Sequence, residues 1–316
     1  MHKPQHAVSF AVRLQQTENK TTIQANNTTD NTSQSISASN IVSETKRPTN
    51  STKHAINVRL HLWKKFKSAN EEVLNSGRSH HHDILMKKCS VLPNGWMIFT
   101  EPNLKLLLIH DDEGHFQNKI YLSGRPFDLA IISSKLIAVS YGENRYVEII
   151  DLKTKDAVKS FNWETNCFGI AIISNHLYIV IEGRGIAVLE HTTGQMIKTI
   201  PIKINQKTFL VVTHDSIIYT NWIFNTVYCF DLEGNEKWQF KKNKLHRPIG
   251  LTVNKSGDVF VAGNVSGNIF YISSDGKRSK ELVRDTDIID LYLDNQTYRL
   301  LTYKSDGSAF KYFVES

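Results

Sequence analysis

The sequence predicts an all-β protein: a six-bladed β-propeller closed by an N-terminal strand and preceded by a disordered polar arm. Three observations carry this reading. They are a repeat close to 40 residues, four short strand patterns inside each repeat, and an abrupt change of composition along the 316-residue chain.

The repeat is set by one apolar tetrad per unit. Phe127-Asp128-Leu129-Ala130, Phe168-Gly169-Ile170-Ala171, Phe209-Leu210-Val211-Val212, Ile249-Gly250-Leu251-Thr252 and Ile289-Asp290-Leu291-Tyr292 follow at intervals of 41, 41, 40 and 40 residues. A step of 39 back from Phe127 reaches Lys88-Cys89-Ser90-Val91, so blades start near 88, 127, 168, 209, 249 and 289. In the fifth unit strands are predicted at Ile249–Val253, Asp258–Ala262 and Asn268–Ile272, with a weaker fourth after Asp275-Gly276. Four short strands per unit is the make-up of a propeller blade. Helical solenoid repeats can have the same length, but period-two alternation with dense glycine and aromatic usage argues for strands.

The sixth unit carries three strand patterns, Ile288–Leu293, Tyr298–Tyr303 and Ser308–Val314, and no fourth. A blade one strand short exposes an edge. The segment at 55–66, reading Ala55-Ile56-Asn57-Val58-Arg59-Leu60-His61-Leu62-Trp63 from its start, alternates at period two outside any unit. It is expected to close the ring as a clasp, giving a propeller over 55–316.

Upstream the composition changes. All 16 glycines lie at or beyond Gly77, and 25 of the 40 residues from Gln15 to His54 are Ser, Thr, Asn or Gln. Such a stretch cannot bury enough apolar surface to offset its ordering entropy, so 1–54 is expected to be a disordered arm. No apolar run has the length of a membrane span or a signal peptide. Three scattered cysteines, Cys89, Cys167 and Cys229, form no CxxC pair and provide neither a disulfide framework nor a cysteine zinc module. A cytoplasmic protein without membrane contact is the expectation. The net charge of +7 sits in residues 1–88, with 13 Lys/Arg against 6 Asp/Glu, while 89–316 carries 25 of each. A nucleic-acid role must therefore rest on a local patch or on the arm.

The units Cys89-Ser90-Val91-Leu92-Pro93-Asn94-Gly95-Trp96-Met97-Ile98-Phe99-Thr100 and Arg247-Pro248-Ile249-Gly250-Leu251-Thr252-Val253-Asn254-Lys255-Ser256-Gly257-Asp258-Val259-Phe260-Val261 resemble NHL repeats. Ile218-Tyr219-Thr220-Asn221-Trp222 ahead of Val227-Tyr228-Cys229-Phe230-Asp231 is similar to the C-terminal propellers of mollusc-type tripartite-motif (B-box) proteins. In that family the propeller chooses targets and a preceding RING recruits ubiquitin-conjugating enzymes. Here no cysteine precedes Cys89, so RING and B-box zinc modules lack their cysteine ligands in 1–88. What the resemblance implies is a recognition platform in a ubiquitin-linked or innate-immune pathway.

The chemistry-bearing candidates are few. His80-His81-His82-Asp83 has metal-ligand residue types, but consecutive side chains diverge, and the cluster reads as incidental. Asp128 and Asp290 hold equivalent inner-strand positions, where Cys89, Gly169, Leu210 and Gly250 occupy the other four. Two carboxylates make a weak cation cage, so a metal-dependent hydrolase ranks last and no enzyme, cofactor, metal or small-molecule site is expected. The binding candidates lie on the rim built from the loops between second and third strands and from the interblade loops. There Trp222 and Phe224, with Arg125, Tyr141, Arg145 and Arg184, suit a protein partner. Lys304 lies on the same rim, and Lys241, Lys242, Lys244 and Arg247 form a basic patch that suits single-stranded RNA as the alternative.

Overall fold

The computed structural model describes residues 56–68, 87–204, 207–284 and 287–315. Among them 24 strands pair into six four-stranded antiparallel sheets. The chain opens with β1 (Arg59–Lys67). Blade 1 is β2 (Cys89–Val91), β3 (Met97–Glu101), β4 (Leu106–His110) and β5 (Phe116–Tyr121). Blade 2 is β6 (Asp128–Ile131), β7 (Leu136–Ser140), β8 (Tyr146–Asp151) and β9 (Ala157–Asn162). Blade 3 is β10 (Cys167–Ile173), β11 (His176–Ile181), β12 (Gly185–Glu190) and β13 (Met196–Ile200). Blade 4 is β14 (Leu210–Val212), β15 (Ile217–Asn221), β16 (Thr226–Phe230) and β17 (Glu236–Lys241). Blade 5 is β18 (Pro248–Val253), β19 (Val259–Gly263), β20 (Asn268–Ile272) and β21 (Ser279–Arg284). Blade 6 holds β22 (Ile288–Asp294), β23 (Arg299–Lys304) and β24 (Ser308–Glu315).

The missing outer strand of blade 6 is β1. It runs antiparallel to β24, with Arg59 opposite Glu315 and Lys67 opposite Ser308. Beyond the ladder, Ser68 N–H donates to Gly307 O at 2.8 Å, and Lys67 pairs with Asp306 at 2.9 Å. The inner strands β2, β6, β10, β14, β18 and β22 lie side by side in that order, and β22 returns to β2. The ring is closed.

The core lies between blades rather than within a single layer. Each middle strand has one face against the preceding blade and one against the next. Strands such as β3, β15 and β19 are therefore buried at every residue, whereas the outer strand β17 alternates and keeps Phe240 inward. Ile98, Leu107 and Ile120 of blade 1 pack on Ile137 and Val139 of blade 2. Phe260 and Ile269 of blade 5 pack likewise on Leu291, Leu300 and Phe310 of blade 6. Each such fully buried side chain contributes about 1.5–3 kcal/mol of transfer free energy.

A buried polar chain crosses the seam where the ring closes. The Tyr303 hydroxyl donates to Glu101 at 2.7 Å, Lys87 Nζ reaches the same carboxylate at 2.9 Å, and the Ser68 hydroxyl lies 2.8 Å from Tyr303 Oη. Clasp, blade 6 and blade 1 are thereby joined in one satisfied network. The compact unit holding the propeller starts at Ile56. The polar arm at 1–54 and the His80–Asp83 cluster lie outside the described residues.

Candidate functional site

The first tetrad position is occupied around the ring by Lys88, Phe127, Phe168, Phe209, Ile249 and Ile289, all buried. The Phe127 ring lies 5.2 Å from Phe168 and stacks on Phe209 at 5.0 Å, and Lys88 Nζ sits 4.4 Å from the Phe209 ring. Lys88 belongs to blade 1 and Phe209 to blade 4, opposite each other in the ring. Their contact places these side chains on the axis, where they plug the channel beside the interblade loops. The plug has one charge in it. Lys88 Nζ is 2.8 Å from Asp290 Oδ1 and 3.7 Å from Asp128 Oδ1.

Each aspartate also fastens its blade to the next. Asp290 Oδ2 accepts the Cys89 N–H at 2.8 Å, and Asp128 Oδ2 accepts the Ile170 N–H at 3.0 Å. Burial pushes the Asp128 carboxyl up to about 6, against the pull of Lys88 and of the Ile170 and Leu129 amides, and raises Asp290 as well. Burial also works against the Lys88 ammonium, but the two carboxylates outweigh it and hold the group above the usual lysine range. At the second tetrad position a glycine lets neighbouring inner strands close up: a Cβ on Gly250 would lie 2.7 Å from Asp290 Cα. The Asp128/Asp290 pair, weighed from sequence as a partial cation cage, is thus committed to Lys88, which a cation between them would have to displace. Among the described residues no group of three or more His, Cys, Asp or Glu side chains converges as a metal site.

On the rim above the plug, the structure corrects several sequence-based placements. Tyr141 is buried; its hydroxyl donates to Glu148 at 2.6 Å and its ring stacks on Tyr146 at 4.4 Å, so it cannot meet a partner. Trp222 is half-buried rather than projecting. Its Nε1–H donates to Lys207 O at 2.9 Å, and Arg247 covers its ring at 5.0 Å. Arg247 is accordingly withdrawn from the basic patch. Arg125 is exposed and bonded to Asn103, Arg184 is exposed and paired with Glu164, and Arg145 is exposed in its own turn. Arg125 lies between blades 1 and 2, Arg145 in the β7–β8 turn of blade 2 and Arg184 in the β11–β12 turn of blade 3.

What the rim does bring together is a smaller patch. Ile223 and Phe224, in the β15–β16 turn, are 54% and 60% exposed, and Val265, in the β19–β20 turn, is 65% exposed. Between those turns runs the interblade loop carrying Lys242, Asn243 and Lys244, all exposed. Backbone contacts clamp this loop on both sides. Arg247 N–H donates to Asn225 Oδ1 at 2.7 Å, Asn264 N–H to Arg247 O at 3.0 Å, and Asn268 Nδ2 to Lys244 O at 2.8 Å. Lys241 closes β17 beside it, also exposed. The patch is apolar, cationic and held in place by the fold.

That architecture decides the fold. The chain is a six-bladed β-propeller. A family model described as the Lambda-carrageenase beta-propeller domain matches residues 214–298, from blade 4 into blade 6. A solved structure, a structural genomics protein of unknown function from Bacteroides thetaiotaomicron, is similar with a TM-score of 0.60 at 10% identity, covering 72% of this chain and 69% of that one. At that identity the likeness concerns the fold alone. No curated protein matches. No helix among the described residues is long and apolar enough to cross a membrane.

The propeller's opposite rim holds a cleft of about 530 Å³ at the seam of blades 6 and 1, lined among others by Asn94, Asp112, Gln296, Arg299 and Lys311. Sequence reading passed over both it and Lys88. Lys88 left a signal, being the sole charged residue at a tetrad position otherwise filled by Phe and Ile. Lys311 left a weak signal too, as a charge inside the Ala309–Tyr312 run of a middle strand, whereas Arg299 at the start of β23 left none.

Proposed function

We propose that this propeller is a recognition module whose rim patch docks a protein segment combining acidic residues with an apolar anchor. The observation that carries the reading is the exposure of Ile223, Phe224 and Val265 on both sides of a loop presenting Lys242 and Lys244. Exposed large apolar groups in a fixed frame are the usual anchors of an interface, and a cationic loop between them favours an acidic counterpart. The commitment of Asp128 and Asp290 to Lys88 supports a binding role over hydrolysis at the axis. The NHL-like units are in keeping with a target-choosing propeller in a ubiquitin-linked or innate-immune pathway.

Selection of displayed peptides on the purified protein tests this. Enriched sequences are expected to place Asp or Glu next to an aromatic or Leu, with affinity falling as salt rises. An Ile223→Ala/Phe224→Ala double variant is expected to bind them at least tenfold more weakly, as loss of hot-spot contacts does. Peptides that bind the double variant undiminished would overturn the assignment of this rim. So would single-stranded RNA that outcompetes them and is lost in a Lys241→Ala/Lys242→Ala/Lys244→Ala variant.

A further inference from the structure

The cleft on the opposite rim contains a pair of cations that no carboxylate of the described residues pairs with. Lys311 of β24 is buried, 5% exposed. Among the described residues its ammonium makes one hydrogen bond, to the backbone carbonyl of Asp112, and lies 5.2 Å from the Trp63 ring, with no carboxylate in ion-pair range. Arg299 of β23 points its guanidinium at the Trp63 ring, 4.2 Å away, and at Phe313, 5.4 Å away. Its guanidinium forms no hydrogen bond or ion pair among the described residues, and its Nε is buried without a partner. A fully buried ammonium ordinarily has a carboxylate beside it, because desolvation of an unpaired charge is costly.

The acids nearby do not fill that role. Asp294 accepts from the Gln296 N–H at 2.9 Å and from the Thr297 hydroxyl. Glu113 is paired with Lys64, and the Asp112 side chain is exposed. Burial lowers the Lys311 ammonium below the usual lysine range; Asp112 opposes this and Arg299 adds to it. The rest of the lining is suited to a small organic molecule. Asn94 and Gln296 bring side-chain amides, and Val91, Leu92, Pro93 and Tyr292 bring apolar surface.

We propose that this cleft binds a compact, doubly charged oxyanion carried on a small polar molecule, with Lys311 and Arg299 as its counter-charges. The cleft is also lined by the Asp112 and Asp294 carboxylates, so the anion's contacts are those of the Lys311/Arg299 wall, whose two cations match a phosphate monoester's charge of about −1.5 to −2 at neutral pH. Guanidinium and ammonium donors form the stronger, charge-assisted hydrogen bonds to such groups. The site is on the other rim from the protein-docking patch, and neither reading depends on the other.

The test is a titration of the whole protein, followed by residue-resolved NMR, with inorganic phosphate, glucose 6-phosphate and glucose at constant ionic strength. Both phosphates are expected to shift the Lys311 and Arg299 side-chain resonances saturably, and glucose to leave them in place. Lys311→Met and Arg299→Gln, each checked for native circular dichroism, are expected to weaken glucose 6-phosphate at least tenfold. Absence of any saturable shift at Lys311 and Arg299 in the wild type would overturn the proposal, and that measurement needs no variant to fold. Equal affinity in wild type and a folded variant, or shifts confined to Lys241, Lys242 and Lys244, would overturn it too.

Discussion

Lys88 and Lys311 are both buried lysines of one propeller, yet their surroundings are opposite. Lys88 sits in the axial plug between two carboxylates, each of which also accepts a backbone N–H from the next blade. Lys311 lines a cleft, with a carbonyl and an aromatic ring for company. A buried charge with its full complement of partners belongs to the architecture: it orients strands and excludes alternatives at a cost already met by its neighbours. A buried charge short of partners is a standing cost, and a natural protein carries such a cost where something else supplies the partner.

The largest expected effect follows from stripping the plug. Lys88→Met leaves Asp128 and Asp290 buried without their cation, which is expected to cost about 3–5 kcal/mol, read as a fall in the urea midpoint at unchanged slope. Lys88→Met/Asp290→Asn is expected to recover part of this, because the amide removes the charge while its oxygen still accepts from Cys89. A double variant no more stable than Lys88→Met would show that charge balance is not what Lys88 provides.

A second consequence is a dependence on pH of unusual sign. The Asp128 carboxyl stands at about 6 in the folded protein against 3.8 for an ordinary aspartate. Between those values the folded state holds a proton that the unfolded state has released. The stabilisation from Asp128 is therefore full below pH 3.8 and is lost as pH rises through 6, amounting to at most about 3 kcal/mol. Asp306, pulled down to about 2 by the Lys67 pair and the Ser308 hydrogen bonds despite partial burial, acts in the opposite direction at lower pH. Comparing wild type with Asp128→Asn by urea unfolding from pH 4.5 to 7 isolates the Asp128 share: the variant is expected to show a smaller fall in stability, the part due to the raised Asp290 carboxyl remaining. Identical pH profiles for the two proteins would remove Asp128 as its source.

How much of this was legible without coordinates depends on which interactions repeat. The blade period, the tetrads and the clasp could be read because each is a local pattern, either recurring or alternating at period two. The ring's first position could have been read further, since superposing six tetrads puts Lys88 among five apolar residues with two aspartates one position on. The rim was harder. Whether a loop tryptophan projects or folds under depends on what lies opposite, and Trp222 is covered by Arg247, 25 residues later. Tyr141 looked like a loop residue, but the Glu148 carboxylate across its own turn draws it inward. The cleft is the extreme case. Its wall combines the β2–β3 turn and Asp112 of blade 1 with the β22–β23 turn, Arg299 and Lys311 of blade 6, segments that share no sequence pattern.

The smallest expected effect bears most directly on the comparison. Lys311→Met keeps the aliphatic stem and deletes the ammonium, giving up one hydrogen bond and a cation–π contact, each worth on the order of 1 kcal/mol. Against that loss stands relief of the desolvation of a charge without a carboxylate and of its repulsion by Arg299. Replacement of buried charges by apolar groups of similar volume is often neutral or stabilising. The variant is therefore expected to fall within about 1 kcal/mol of wild type in urea unfolding without added anion, while Lys88→Met loses several times as much. With saturating glucose 6-phosphate the order is expected to widen in favour of the wild type, because a ligand that binds only the folded state adds stability in proportion to the logarithm of its concentration over Kd. A Lys311→Met protein as damaged as Lys88→Met in the absence of anion would mean that Lys311 is as fully partnered as the lysine of the plug.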